Sequence, residues 1–265
     1  MTEKKDAPRV NCVANEKMNK HLTQIADYSE AELRAKFQHI ETWVFDLDNT
    51  LYPPDSDLWP KIDARITAFL ADRLDLDGLS ARALQMHYYR QFGTTLCGLV
   101  NEDSIIPAEF LSFVHDIDRS NLAPNPSLKF EIDQLPGRKF IFTNGSRDHA
   151  AQTAAQLGLD GAFHGMFDIV DANFIPKPDA AAYEAFFAKF EIAPESAAMF
   201  EDIARNLIVP NRMGMTSTLV IARPGQTDHR DAHDRQTDEP PVADFTTADL
   251  PAFLRAINAL TGREG

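Results

Sequence analysis

Five short, apolar, β-rich segments constrain this chain most, because stretches of helical periodicity separate them. TWVFDL (42–47), RKFIFT (138–143), GMFDIV (165–170), SAAMFED (196–202) and TSTLVIA (216–222) read as buried strands. HAAQTAAQL (149–157), closed by Gly158, and DAAAYEAFFAKF (179–190), with Pro178 near its first turn, read as helices. That alternation predicts an α/β fold, a parallel sheet covered by helices on both faces. In such sheets ligands bind beyond the carboxyl ends of the strands.

The stretch between the first two strands breaks the pattern. Residues 55–125 show apolar repeats at three and four, as in Ile62, Ile66, Phe69 and Leu70, and no strand. They predict a helical insert placed to act as a lid. The expected organisation is therefore 1–38, an N-terminal extension ending in a short helix with Ser29 as N-cap; 39–54 and 126–265, the core; and 55–125, the insert. The polar, proline-bounded segment 223–241 reads as a mobile loop, and TTADLPAFLRAINAL as a final helix.

Charge narrows the function classes. With 26 Lys plus Arg against 40 Asp plus Glu in 265 residues, the net charge is −14, a poor field for nucleic acid or anionic lipid. Two cysteines fit a reducing compartment. No apolar run approaches the roughly 18 residues of a membrane span, and the basic start lacks the apolar core of a secretory signal. The expected setting is the cytoplasm, as a monomer or homodimer, with a small molecule as partner and neither nucleic acid polymer nor membrane.

Chemistry-bearing residues gather at the strand ends. Asp46 and Asp48, two apart in Asp-x-Asp-x-Thr, suit a nucleophile plus a general acid, since two neighbouring acids seldom both stay ionised. Thr143-Asn144-Gly145 offers a hydroxyl, an amide and free backbone N–H groups to a phosphate. Lys177-Pro178 follows the third segment, and Glu201-Asp202-x-x-x-Asn206 adds hard oxygen ligands for a divalent cation. Taken singly, these read equally well as an acidic turn, an Asn-Gly turn, a surface lysine and a charged helix start. Together, four acids in one crevice require Lys177 and a cation such as Mg²⁺, which in turn favours a phosphate oxygen.

FDLDNT (45–50), FTNG (142–145), Lys177-Pro178 and FEDIARN (200–206) resemble the haloacid dehalogenase (HAD) superfamily in its phosphatase branch. FDLDNTLYP, FTNG, FEDxxRNL and QFGTTLCGLV (91–100) are most similar to its pyrimidine 5′-nucleotidase-like subfamily. The resemblance implies a Rossmann-like three-layer core with a helical cap inserted after the first strand. It implies a Mg²⁺-dependent phosphatase acting on a small soluble phosphomonoester, a pyrimidine nucleoside 5′-monophosphate being the best guess and a sugar phosphate or phosphoglycolate the alternative. By the same resemblance Asp46 attacks phosphorus and Asp48 is the general acid and base. Mg²⁺ is held by Asp46, the carbonyl of Asp48 and Asp202, with Glu201 nearby. Thr143, Asn144, Gly145 and Lys177 bind the phosphoryl oxygens. Ile203 departs from the small polar residue usual there, and Pro210 should kink or shorten the following helix.

Rival readings are weaker. A dehalogenase has no need of Asp48, a phosphomutase needs a cap that retains its intermediate, and a phospho-accepting regulatory module is shorter and lacks the insert. Tyr52, Trp59, His87, Tyr88, Tyr89 and Phe92 could stack on a base, but aromatics at helical spacing read more often as core. His229 and His233 lie in a polar loop and read as solvated, and Cys97 has no basic partner that would activate it.

Overall fold

In β1 (Thr42–Phe45) Trp43 and Phe45 belong to one hydrophobic cluster and Val44 to another, and all four strand residues are buried. Burial on both faces is what a central parallel strand requires. The computed structural model describes residues 28–231, 234 and 243–261. Its sheet has six strands, all parallel, in the order β3-β2-β1-β4-β5-β6: β2 (Arg138–Phe142), β3 (Gly165–Phe167), β4 (Ala197–Glu201), β5 (Thr216–Val220) and β6 (Phe245–Thr247) join β1.

One face is covered by α1 (Glu30–Phe37), α6 (Pro126–Gln134), α7 (Arg147–Gln156) and α10 (Leu250–Thr261), which pack Phe37, Ile132, Ala150 and Phe253 against Trp43, Phe45 and Phe200. On the other, α8 (Ala180–Phe190) sets Tyr183 and Phe186 against Val44, Phe142 and Met199. This is the Rossmann-like three-layer α/β arrangement. Ser29 caps α1 in a capping box with Glu32.

Between β1 and β2 the described chain forms α2 (Leu58–Arg73), α3 (Gly78–Phe92), α4 (Thr95–Glu102), α5 (Pro107–Val114) and then α6, with no strand among them. Phe69, Leu70, Tyr88, Leu99 and Phe110 of this insert form a third hydrophobic cluster, joined by Ile169 from beyond β3. Among the described residues no helix is long and apolar enough to cross a membrane.

Three expectations need correction. The final segment opens with β6, a three-residue edge strand, before α10 begins. Pro178 lies ahead of α8, whose N-cap is Asp179. The 223–241 loop is docked where it is described: Arg230 is 8% exposed, the Tyr89 hydroxyl donates to Asp234 at 2.5 Å, and Arg205 pairs with Asp234 at 3.4 Å. Pro210 sits within α9 (Ile208–Arg212), a five-residue helix after a 3₁₀ turn over Ala204–Leu207. His233 lies outside the described residues.

Candidate active site

Strand register builds the floor of the site. Phe45 lies abreast of Ile141 on β2 and Phe200 on β4, so one step further brings Asp46, Phe142 and Glu201 level. The Asp46 N–H continues the ladder to the Phe200 carbonyl at 2.9 Å. Lys177, 1% exposed, spends all three ammonium protons here: on Asp46 Oδ1 at 2.7 Å, Glu201 Oε2 at 2.7 Å and the Phe142 carbonyl at 2.8 Å. A fully buried lysine is tolerable only with such pairing.

Asp202 completes the cluster. Ligand oxygens of Asp46, Glu201 and Asp202 all lie within 4.8 Å of one another. Glu201 is already engaged, since its Oε1 accepts from the Ile203 N–H at 3.1 Å. Asp202 Oδ2 and Asn206 Oδ1 are buried with no hydrogen-bond partner among the described residues. Burial, then Glu201, push Asp46 up to about 8 against the pull of Lys177. Burial, Glu201 and Asp46 hold Asp202 well above the usual carboxylate range, opposed by Arg230, whose guanidinium is 3.8 Å from Asp202 Oδ2 and donates to its carbonyl. With all three acids ionised, Lys177 and the more distant Arg230 leave negative charge uncompensated, and hard oxygen donors with an orphaned carboxylate oxygen fit a divalent cation.

Asp48 is kept apart from this cluster. Its Oδ1 accepts from the Tyr52 hydroxyl at 2.6 Å and lies 2.9 Å from His149 Nε2. Burial raises its pKa, but the interactions with His149 and the bond from Tyr52 outweigh that and leave it below the ordinary value. Burial among acids favours the protonated form of Asp46, whereas two donors favour the ionised form of Asp48.

Thr143 ends β2, where its N–H reaches the Phe167 carbonyl at 3.0 Å and its Oγ1 accepts from the Gly145 N–H at 2.9 Å. A Cβ at Gly145 would lie 3.2 Å from His149 Cδ2 and 3.3 Å from Thr143 Oγ1, so a side chain there would press on both by a few tenths of an ångström. Asn144 is used as a brace. Its Oδ1 accepts from the Lys177 N–H at 2.9 Å, and its Nδ2 donates to the Lys177 carbonyl at 3.2 Å, leaving one amide proton for a ligand.

A cavity of about 450 Å³ joins these residues to the insert. Asp46, Thr143, Lys177 and Asp202 line one end, and Trp59, Ile62, Tyr89 and Phe110 line the insert's part. Tyr88 and Phe92 belong to the insert core, His87 is exposed, and Tyr52 is buried on Asp48. Cys97 has its thiol raised by burial, as expected of an inert one. Sequence reasoning did not single out His149, Arg119, Arg205 or Arg230. The one available signal was His149, three residues beyond Ser146 at the start of a helix following a motif-bearing strand.

A family model for the haloacid dehalogenase-like hydrolases matches residues 40–214. The chain belongs to that family. Phosphate metabolism protein 8 of Saccharomyces cerevisiae is 25% identical over 191 residues, covering 66% of this chain, and the chain spans 60% of the length of that relative. Among solved HAD structures, the HAD hydrolase YfnB of Bacillus subtilis, bound to magnesium, superposes with a TM-score of 0.53 at 15% identity over 83% of this chain and 99% of its own. The HAD phosphatase of Thermococcus onnurineus does so at 0.52 and 16% identity, over 84% and 98%. The L-2-haloacid dehalogenase of Xanthobacter autotrophicus reaches 0.51 at 16% identity, over 82% and 98%. These likenesses bear on the HAD fold alone.

Proposed function

We propose that this HAD hydrolase is a Mg²⁺-dependent phosphomonoesterase of the pyrimidine 5′-nucleotidase-like subfamily. Its substrate is a small soluble phosphomonoester, best a pyrimidine nucleoside 5′-monophosphate, and residues 55–125 serve as its cap. The carrying observation is the division of labour between two carboxylates two residues apart. Asp46 Oδ1 is bound to Lys177 within an acid cluster, whereas Asp48 is held by Tyr52 and His149 outside it.

Asp46 Oδ2 accepts no hydrogen bond from the described residues and lines the cavity, which suits it to attack phosphorus. Lys177 and the cation's charge keep that carboxylate ionised despite burial. Asp46, Asp202 and the carbonyl of Asp48 would hold Mg²⁺, which when bound supplies positive charge to a phosphoryl oxygen. The Thr143 hydroxyl, already accepting from Gly145, keeps its own proton for another such oxygen, with the spare Asn144 amide proton beside it. Attack by Asp46 forms an acyl phosphate as the bond to the leaving oxygen breaks. An anionic phosphoryl group beside Asp48 raises its proton affinity, so the Asp48 carboxyl can protonate that oxygen. The resulting carboxylate then takes a proton from the water that hydrolyses the acyl phosphate. Positioning and charge neutralisation dominate such transfers.

The yeast relative's name is in keeping with phosphate chemistry. The cavity's mixed wall of Trp59, Tyr89 and apolar side chains offers a base a stacking surface. Phosphate release should be measured from UMP, CMP, purine monophosphates, sugar phosphates and phosphoglycolate, with and without Mg²⁺. The expected result is Mg²⁺-dependent release, fastest from UMP or CMP. Preference for a sugar phosphate would replace the substrate class, and no release from any ester would remove the activity.

A further inference from the structure

Arg119 lies on the connection that returns from the insert to the core, between α5 and α6, yet its side chain reaches the core helix α7. All five of its N–H groups are used: on Thr153 Oγ1 at 3.3 Å, the Ile117 carbonyl at 3.0 Å, Gln152 Oε1 at 3.0 Å, the His115 carbonyl at 3.1 Å and His149 Nδ1 at 2.9 Å. A guanidinium can only donate. His149 Nδ1 must therefore be the accepting, unprotonated nitrogen. The ring proton is then confined to Nε2, which faces Asp48 Oδ1 at 2.9 Å. His149 is fully buried and its ring is clamped. His115, from the C-terminus of α5, stacks on it at 4.4 Å and 9°, and binds Ser146 Oγ through Nδ1 at 2.9 Å.

Asp48 thus meets both connections of the insert. Tyr52 reaches it from the outgoing one, and Arg119 and His115 act on it through His149 from the returning one. We propose that Arg119 and His149 are positioning residues that fix one imidazole tautomer, hold Asp48 Oδ1 so that its Oδ2 is presented for proton transfer, and make that aim depend on the insert being seated on the core. The inference rests on Asp48 being the general acid and base. A carboxylate gripped on one oxygen by two donors has its second oxygen left for the leaving group, and losing the grip lets it rotate toward the acid cluster.

The consequence is selective. Protonation matters for a poor leaving group and little for a good one. An alkyl phosphate and p-nitrophenyl phosphate should be compared under saturating Mg²⁺ in the full chain, for wild type, Asp48→Asn, Arg119→Met, Arg119→Lys and the double variant Arg119→Met with Asp48→Asn. Thermal melts check folding. Arg119→Met is expected to lose about tenfold more kcat on the alkyl ester than on p-nitrophenyl phosphate. Arg119→Lys, which keeps one donor for His149 Nδ1, should recover most of that difference even if Arg119→Met folds poorly. In the Asp48→Asn background the Arg119 change should add no further selectivity. Equal losses on both esters for both Arg119 variants, beside a selective Asp48→Asn, would overturn the relay while leaving the role of Asp48 intact. Equal losses in Asp48→Asn itself would overturn the acid assignment, and the relay with it.

Discussion

The ammonium of Lys177 sits 2.7 Å from both Asp46 and Glu201, so a single buried cation ties a residue at the end of β1 to one at the end of β4. Truncating it strands two buried carboxylates. Lys177→Met should cut kcat by roughly a hundredfold or more at saturating Mg²⁺. Steady-state kinetics with a circular dichroism spectrum check this. Turnover within a fewfold of wild type in a folded variant would count against the charge role given to Lys177.

The acid cluster makes stability depend on pH and on metal together. Asp46 has its pKa raised from 3.8 to about 8, and Asp202 is raised as well. Between those values the folded state holds protons that the unfolded chain releases. The contribution is thus present in full below the unfolded value and is lost as pH rises through about 8. Metal-free protein should melt at a lower temperature at pH 8 than at pH 5.5, in so far as these groups govern it. Mg²⁺ should restore more at pH 8, where protons compete less for the cluster. Differential scanning fluorimetry with EDTA or Mg²⁺ measures both. A Mg²⁺ stabilisation equal at the two pH values would show that the cluster does not bind the ion.

Phe200 is fully buried at the centre of the sheet, stacked on Phe45 at 4.8 Å and touching Phe253 edge-on at 6.4 Å. Phe200→Ala opens a cavity directly beneath Glu201 and should cost about 3–5 kcal/mol. Urea unfolding checks the figure. A loss below about 1 kcal/mol would mean that the sheet and α10 collapse into the space.

Trp59 lines the insert's part of the cavity. If a base stacks there, Trp59→Ala should raise KM for UMP by about tenfold and leave p-nitrophenyl phosphate nearly unchanged. A parallel change for both substrates would place the base elsewhere.

The sheet, its helical layers and the insert were legible because strands buried on both faces leave continuous apolar runs and helices leave periodic ones. Asp46, Glu201 and Asp202 announced themselves by lying at the ends of such runs, which the register then brings together, and Lys177 by the Lys-Pro pair that follows the third. β6 escaped because Phe245–Thr247 is too short to carry a pattern. The Asp48 network escaped for another reason. Tyr52, His115, Arg119 and His149 are strung over two connections and a helix, and nothing in a linear spacing shows that a guanidinium meets an imidazole 30 positions away. Arg230 and Asp234 sit in a polar segment whose docking depends on buried charge, which composition reads as solvent exposure.

The central claim is that the phosphoryl group passes through Asp46. Wild type and Asp48→Asn should be mixed with excess phosphomonoester and Mg²⁺, quenched in acid within the first turnover, digested and examined by mass spectrometry. The account predicts a phosphate on the peptide bearing Asp46, accumulating further in Asp48→Asn, where hydrolysis is slowed. Free phosphate released while that peptide stays unmodified in both proteins would contradict it.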